Sequence, residues 1–298
     1  MNIIKMGMTA CILLLVVGCE TAVTNRPSSN VIISEEFPSY KVDQPIDKQV
    51  EVVVPIGNGT TKKVVEHRVN SENGENRIST LKTTTYWEID SQHEQISTKL
   101  HTITSVSKPG ERDYKFDVDE ELLSNKDGKV IGYHLDLKEF ESLFSPIIIE
   151  MVKKVQPQWI TQEYHLDELG TKITTGYEIR PTILSKERLQ QFLGAEMSSK
   201  VDQPEIVKGY GTYNNKRVVV TYYTVDEVVL DGNSTMVIKG KGYNLYDARS
   251  FIHVRGEFLI RINVTDNDGK VQDIEVRIKQ RCDDYHVRGL INAPGYLK

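Results

Sequence analysis

Alternation of apolar and polar side chains limits the fold of this 298-residue chain more than any other feature. In the segment "FIHVRGEFLIRINV" (251–264) one set of alternate positions is apolar: Ile252, Val254, Phe258, Ile260, Ile262 and Val264. Polar side chains fill most of the positions between them: His253, Arg255, Glu257, Arg261 and Asn263. Successive side chains of a strand point to opposite faces of a sheet, so the pattern predicts an antiparallel strand with one solvated face.

A second alternating segment, "QDIEVRIKQ" (272–280), follows after the turn-forming run "DNDG" (266–269), and the two segments predict a long hairpin. The same run lacks the ligand spacing and closing Glu of a calcium loop. Similar units occur at 79–106, 114–137 and 205–230, the last with a turn at Asn214-Asn215. We therefore expect about ten to twelve strands arranged as antiparallel meander sheets.

Two segments near the middle of the chain have a helical pattern. In 145–156, Pro146 suits the first helical position, and one face is apolar: Ile147, Ile148, Met151, Val152 and Val155. In 184–194, Ser185 caps the start and Gly194 suits the end. We expect one or two helices packed on a sheet face, which makes the fold mainly β (α+β). Contact with a membrane, or closure over a ligand cavity, is the alternative for the first helix.

Short similarities suggest an internal duplication. "KVDQP" occurs at 41–45 and at 200–204, "KKVV" (62–65) resembles "KRVV" (216–219), and "YWEID" (86–90) resembles "YNLYD" (243–247). The offsets are 159, 154 and 157 residues. They predict two related β-rich domains, 41–136 and 200–298, separated by helical segments and intervening strands at 137–199. Chance similarity between short β segments is the alternative.

The first residues have the composition of a targeting segment. A short region with one charge, Lys5, precedes the apolar stretch 6–17, which is shorter than the about 20 residues that a spanning helix needs. The residues Val16-Val17-Gly18-Cys19 then resemble the lipobox of bacterial lipoproteins. That resemblance implies a signal peptide at 1–18, cleavage before Cys19, and acylation of Cys19. An uncleaved anchor, or a conventional leader in which the cysteine is accidental, is the alternative.

The lipoprotein resemblance also implies a location. The chain would be held to the lipid bilayer of the cell envelope through acylated Cys19, because two or three acyl chains anchor a protein stably. The resemblance implies that Asp after the cysteine favours inner-membrane retention, so Glu20 favours the outer membrane of a two-membrane bacterium. In a one-membrane cell the location is the outer face of the plasma membrane. Residues 19–40, rich in Ser, Thr, Asn and Pro, are predicted to be a flexible tether.

Cysteine and histidine offer few candidates for catalysis. With Cys11 in the leader and Cys19 lipidated, Cys282 is the remaining thiol, and His286 lies four residues after it. The neighbouring Asp283 and Asp284 would raise the thiol pKa, so an inert thiol is favoured over a Cys/His nucleophile pair. Hydrolase, phosphate-loop and dinucleotide-binding motifs are absent from the sequence, and we predict no catalytic residues.

The tetrapeptide "YHLD" occurs twice, at 133–136 and 164–167. On strands it would place His134 with Asp136, and His165 with Asp167, where two pairs brought together would bind a metal. A solvated strand face explains the pattern with fewer assumptions, so no metal or cofactor is predicted. The formal charge of −5 and the lack of a dense basic cluster argue against a nucleic-acid partner.

Tyrosine is frequent in the second half of the chain: Tyr210, Tyr213, Tyr222, Tyr223, Tyr243 and Tyr246. These side chains suit either recognition or packing at the rim of a core, and packing is favoured. We therefore expect a non-catalytic binding or assembly protein whose partner is an envelope protein, a glycan, or an apolar ligand held between sheet and helix. The alternatives are an envelope hydrolase with a pair of facing carboxylates, and a purely structural lipoprotein.

Overall fold

A computed structural model describes residues 44–46, 52–53, 56–71, 76–92, 95–110, 112–125, 129–136, 150, 153, 156–157, 160–161, 164, 172–179, 196–197, 205–231, 235–265 and 268–291. The predicted signal peptide, Cys19 and the tether lie outside these residues. Among the described residues, no helix has the length and apolarity needed to cross a bilayer.

The described residues form fifteen strands. They are β1 (Gln44–Ile46), β2 (Val52–Val53), β3 (Ile56–Ser71), β4 (Asn76–Gln92), β5 (Gln95–Ser107), β6 (Tyr114–Asn125), β7 (Val130–Asp136), β8 (Lys172–Ile173), β9 (Glu178–Ile179), β10 (Glu196–Met197), β11 (Glu205–Tyr213), β12 (Lys216–Asp231), β13 (Thr235–Asp247), β14 (His253–Thr265) and β15 (Val271–Ile291). The prediction of a mainly β, antiparallel chain is therefore confirmed.

Eleven of these strands follow one another across a single sheet in the order β1-β11-β12-β13-β14-β15-β3-β4-β5-β6-β7. Two five-stranded meanders, β3–β7 and β11–β15, meet where β15 pairs antiparallel with β3. The short strands β9 and β10 pair with β11 and β12, and β2 pairs with β8 in a separate two-stranded sheet.

This topology corrects the expectation of separate β domains. The ladder between β15 and β3 runs from Ile274 opposite Ser71 to Ile291 opposite Ile56. Without this ladder, each of the two long strands would expose a row of unpaired backbone N–H and C=O groups. The ladder pairs these groups with one another. In the described part of the chain the two β-rich segments are thus halves of one sheet, while their duplication stays a prediction.

The predicted hairpin is confirmed as β14 and β15, paired from Thr265 opposite Val271 to Arg255 opposite Arg281. The predicted turn at Asn214-Asn215 is also present, with φ angles of 50° and 61° that suit a two-residue hairpin turn. The expectation of one solvated face along β14 and β15 is wrong in part. Leu259 (0%) and Glu275 (1%) are buried on that face, because alternation predicts which side chains share a face and not whether the chain later covers it.

Helical conformation is described at Glu150, Lys153, Gln156, Pro157, Ile160 and Thr161. Ile160 packs against one face of β4–β6, here called the helix-covered face, whose buried apolar side chains are Trp87, Ile89, Ile96, Leu100 and Leu122. Gly59 on β3 leaves room for the Trp87 indole, since a Cβ there would lie 2.7 Å from a ring atom. The predicted apolar face of 145–156, and the second predicted helix at 184–194, lie outside the described residues.

The tyrosines of the second half mainly serve packing. Tyr210, Tyr223, Tyr243 and Tyr246 are each at most 7% exposed. Tyr210 and Tyr246 join a core with Ile173, Val219 and Phe251, and Tyr213 and Tyr222 are partly buried against a second cluster around Tyr243. The described structure thus favours packing over recognition for this set.

Candidate functional site

The face of β3–β7 opposite the helix-covered face carries polar side chains in two rows that cross the strands; it is called the polar face below. Strand register places the first row as His286, Thr60, Tyr86, His101, Asp119 and Asp136. The second row is Asn58, Glu88, Lys99, Glu121 and His134. Directly paired residues on neighbouring strands have Cβ atoms about 4.5–5.5 Å apart, so each row is close to continuous.

These two rows line an open depression of about 750 Å³ in the sheet surface. Its floor is antiparallel backbone, in which every strand is held by ladders on both sides except β7, described with a partner on one side only. A site built on such strands keeps its side chains at fixed spacing.

At the centre of the depression, the His101 Nδ1 atom lies 2.6 Å from Asp119 Oδ1. Both side chains are partly exposed, at 38% and 42%. The Tyr86 ring stacks on the imidazole with a centroid distance of 5.8 Å and an interplanar angle of 28°, and Tyr86 remains 48% exposed. An aromatic ring is therefore held open to solvent beside an oriented carboxylate–imidazole pair.

The charges around this pair are mainly negative. Four carboxylates of the polar face, those of Glu88, Asp119, Glu121 and Asp136, line the depression with a single lysine, Lys99, and the lining also includes the buried Glu120. The Lys99 Nζ atom lies 3.9 Å from Glu121 Oε1, and both side chains are more than half exposed. An exposed pair of this kind adds little stability. The side chains of Glu88, Glu121 and Asp136 are exposed, so their carboxylate oxygens lie within reach of a ligand in the depression.

The structure tests the placement of several residues singled out in the sequence. His134 and Asp136 lie on the polar face and line the depression, whereas His165 and Asp167 lie outside the described residues. Within the described ranges, no three His, Cys, Asp or Glu side chains are grouped so as to hold a metal ion.

The structure does not bring Cys282 and His286 together as a catalytic pair. Cys282 lies opposite Lys63 and His286 opposite Thr60, positions on opposite faces of β3. Burial raises the pKa of the Cys282 thiol, and the nearby Lys63 ammonium offsets part of that rise. The expectation of an inert thiol agrees with this environment.

A buried carboxyl group lies behind the depression, on the helix-covered face. Glu120 is 6% exposed; its Oε1 atom accepts a 2.6 Å hydrogen bond from the Tyr133 hydroxyl, and its Oε2 atom accepts one of 3.4 Å from Gln156 Nε2. Burial raises the pKa of Glu120, and the two hydrogen bonds oppose that rise. Since Gln156 is a helical residue, Glu120 also ties the helix to the sheet.

Sequence reasoning missed Tyr86, His101 and Asp119. They lie on three strands and form a site only through the register of β4, β5 and β6. The available signal was the alternation within each strand. It predicts that these three side chains lie on the other face of the sheet from the buried Trp87, Leu100 and Leu122.

Comparisons with known proteins identify no relative. No family model matches the chain, and no curated protein matches it. Among solved structures, a lipovitellin structure concerned with lipid–protein interactions is similar at 11% sequence identity with a TM-score of 0.34. The match covers 76% of this chain and 25% of the lipovitellin chain, so the present chain spans about a quarter of that protein's length.

Proposed function

We propose that this protein is a lipid-anchored component of the bacterial cell envelope that binds a glycan in the depression of the polar face, without catalysing a reaction. The observation that carries the proposal is the exposed Tyr86 ring, stacked on His101 and surrounded by carboxylates.

The chemistry of the depression suits a polyhydroxylated ligand. A sugar ring presents an apolar face that packs on an aromatic side chain, while its hydroxyl groups donate hydrogen bonds to carboxylates such as that of the exposed Glu88. An apolar ligand does not suit this surface, because it would desolvate charged groups without offering them partners.

Replacement of Tyr86 by alanine tests the role of the aromatic ring. Tyr86→Ala is expected to weaken binding of an N-acetylglucosamine hexamer, used as the probe, about fivefold to tenfold, the loss typical of an aromatic contact. Isothermal titration calorimetry measures the affinity. Ile78→Ala is the matched control, since Ile78 is 38% exposed on the same strand and the same face but outside the depression.

Three results of this titration separate the candidate functions. Equal weakening by Tyr86→Ala and Ile78→Ala, or no binding by the wild-type chain to this probe or to solubilised envelope glycans, contradicts the proposal.

Shortening of the hexamer, detected by mass spectrometry, supports the hydrolase alternative instead. That alternative is favoured by one observation: Asp119 and Asp136 are direct cross-strand partners. Loss of shortening in Asp136→Asn would then identify the carboxylate pair.

The lipid anchor is tested at Cys19. A Cys19→Ser chain lacks the thiol that becomes acylated, so it is expected to leave the membrane fraction and to migrate as the unprocessed form on gels. Fractionation of cells followed by immunoblotting measures both properties. A variant that stays with the membranes and migrates like the wild type rules out lipidation at this residue.

A further inference from the structure

The charged side chains that line the depression leave an excess of negative charge. The polar face contributes four carboxylates and one ammonium group, which is a formal charge of −3 when the lining histidines are neutral. Glu88, Glu121 and Asp136 are exposed there, whereas Glu120 is buried on the helix-covered face. Charged clefts attract ligands of the opposite sign. A ligand that brings positive charge therefore suits this surface better than a neutral or an anionic one.

The second polar row holds two of these carboxylates at a defined spacing. Lys99 on β5 is the cross-strand partner of both Glu88 on β4 and Glu121 on β6. The two glutamates are therefore two strand spacings apart, which is about 9.5 Å. Because one ammonium group lies between two carboxylates, this part of the row keeps one negative charge in excess.

The exposed aromatic ring lies beside this row. Tyr86 and Glu88 are two positions apart on β4 and share a face, so they are separated by about 7 Å along the strand. A pyranose ring stacked on Tyr86 brings the substituents of one edge towards Glu88. In an extended β-1,4-linked glycan each sugar is turned over relative to its neighbours, so a given substituent returns to the same edge at every second sugar. This two-sugar repeat is close to the separation of Glu88 and Glu121.

We propose that the glycan bound in the depression is a β-1,4-linked hexosamine oligomer with free, protonated amino groups, lying across strands β4 to β6. This inference rests on the proposed function and adds the chemical class of the ligand. One sugar stacks on Tyr86 while its ammonium group pairs with Glu88, and the ammonium group two sugars further along pairs with Glu121. N-acetylation removes these positive charges, so the acetylated glycan binds more weakly.

Two hexamers that differ only in N-acetylation test this inference. Isothermal titration calorimetry of the full chain in mild detergent at pH 6.0 compares the glucosamine hexamer, whose amino groups are then mainly protonated, with the N-acetylglucosamine hexamer. The glucosamine hexamer is expected to bind about tenfold more tightly in about 0.05 M NaCl, the effect of two exposed ion pairs. Most of this preference is expected to disappear in about 0.5 M NaCl, because salt screens exposed charges.

The results of this comparison separate the inference from the function on which it rests. Equal affinities for the two hexamers overturn the assignment of an amino sugar and leave glycan binding intact. Binding of neither hexamer contradicts both. A lysine hexapeptide that binds as tightly as the glucosamine hexamer also overturns the inference, because the surface would then select positive charge without selecting a sugar.

Variants of exposed charges locate the ion pairs. Glu88→Gln and Glu121→Gln are each expected to lower the ratio of the two association constants, glucosamine over N-acetylglucosamine hexamer, about threefold, the factor for one exposed pair. Lys99→Gln removes the competing ammonium group and is expected to raise the same ratio by a similar factor.

Glu66→Gln is the matched control for these variants. Glu66 is exposed on the polar face but lies outside the depression, six positions along β3 from Thr60 and thus about 20 Å away. It is expected to leave the ratio unchanged. A ratio that is the same in the wild type, Glu88→Gln, Glu121→Gln and Lys99→Gln, or that falls equally in Glu66→Gln, overturns the inference.

Discussion

Acidification from pH 7.5 to pH 4.5 is expected to lower the free energy of unfolding by about 2.5 kcal/mol through the single side chain of His67. His67 is 5% exposed on β3, and burial lowers its pKa from 6.5 to about 4. The folded state therefore binds this proton more weakly than the unfolded state does. Stability from the neutral imidazole is fully present above about pH 6.5 and is lost as the pH falls towards 4.

The measurement is a urea titration at both pH values, followed by circular dichroism, for the wild type and for His67→Gln. The variant cannot gain this proton, so the wild type should lose about 2.5 kcal/mol more than the variant between the two conditions. The variant is needed as a reference because burial also raises the pKa of Glu120. Protonation of Glu120 stabilises the folded state as the pH falls, and this effect is the same in both chains. Parallel pH profiles for the two chains would show that His67 is protonated equally in the folded and unfolded states.

Leu122→Ala is expected to lower the free energy of unfolding by about 3 kcal/mol, the range for a fully buried leucine that leaves a cavity. Leu122 is 0% exposed and packs with Trp87 and Ile160 on the helix-covered face. The neighbouring Leu123 is partly exposed and points to the other face of the same strand, so Leu123→Ala should cost about 1 kcal/mol or less.

This pair of variants tests the assignment of faces as well as the packing. Urea unfolding midpoints of the two alanine variants at pH 7.5 give the difference directly, because strand, residue type and sequence position are nearly the same. Equal losses in the two variants would mean that β6 is rotated or shifted by one residue relative to the described register.

Local features of the fold were predictable from the sequence. The β14–β15 hairpin follows from alternation on either side of a turn-forming run, and the Asn214-Asn215 turn follows from the tolerance of Asn for positive φ. The pairing of β15 with β3 was not predictable, because alternation identifies strands but not their distant partners. The two β-rich segments were consequently expected to be separate domains.

The candidate site shows the same limit. His134 and Asp136 were recognised because they are close in sequence, but His101 and Asp119 come together only when β5 and β6 pair in the observed register. A one-residue shift of either strand would move its polar side chains to the helix-covered face. The alternation within each strand therefore predicts which polar side chains share a face. The distances between side chains on different strands depend on how those strands pair.

The central position of the β15–β3 ladder has a consequence for how the molecule is made. Ser71 and Ile274 are partners about 200 residues apart along the chain, which gives the fold a high contact order and predicts slow folding. Until β15 has emerged, β3 is an open edge of 16 residues that can pair with other chains and aggregate. A truncation that removes β15 would divide the sheet through its middle, rather than trim its margin, and leave two half-sheets each with a new unprotected edge.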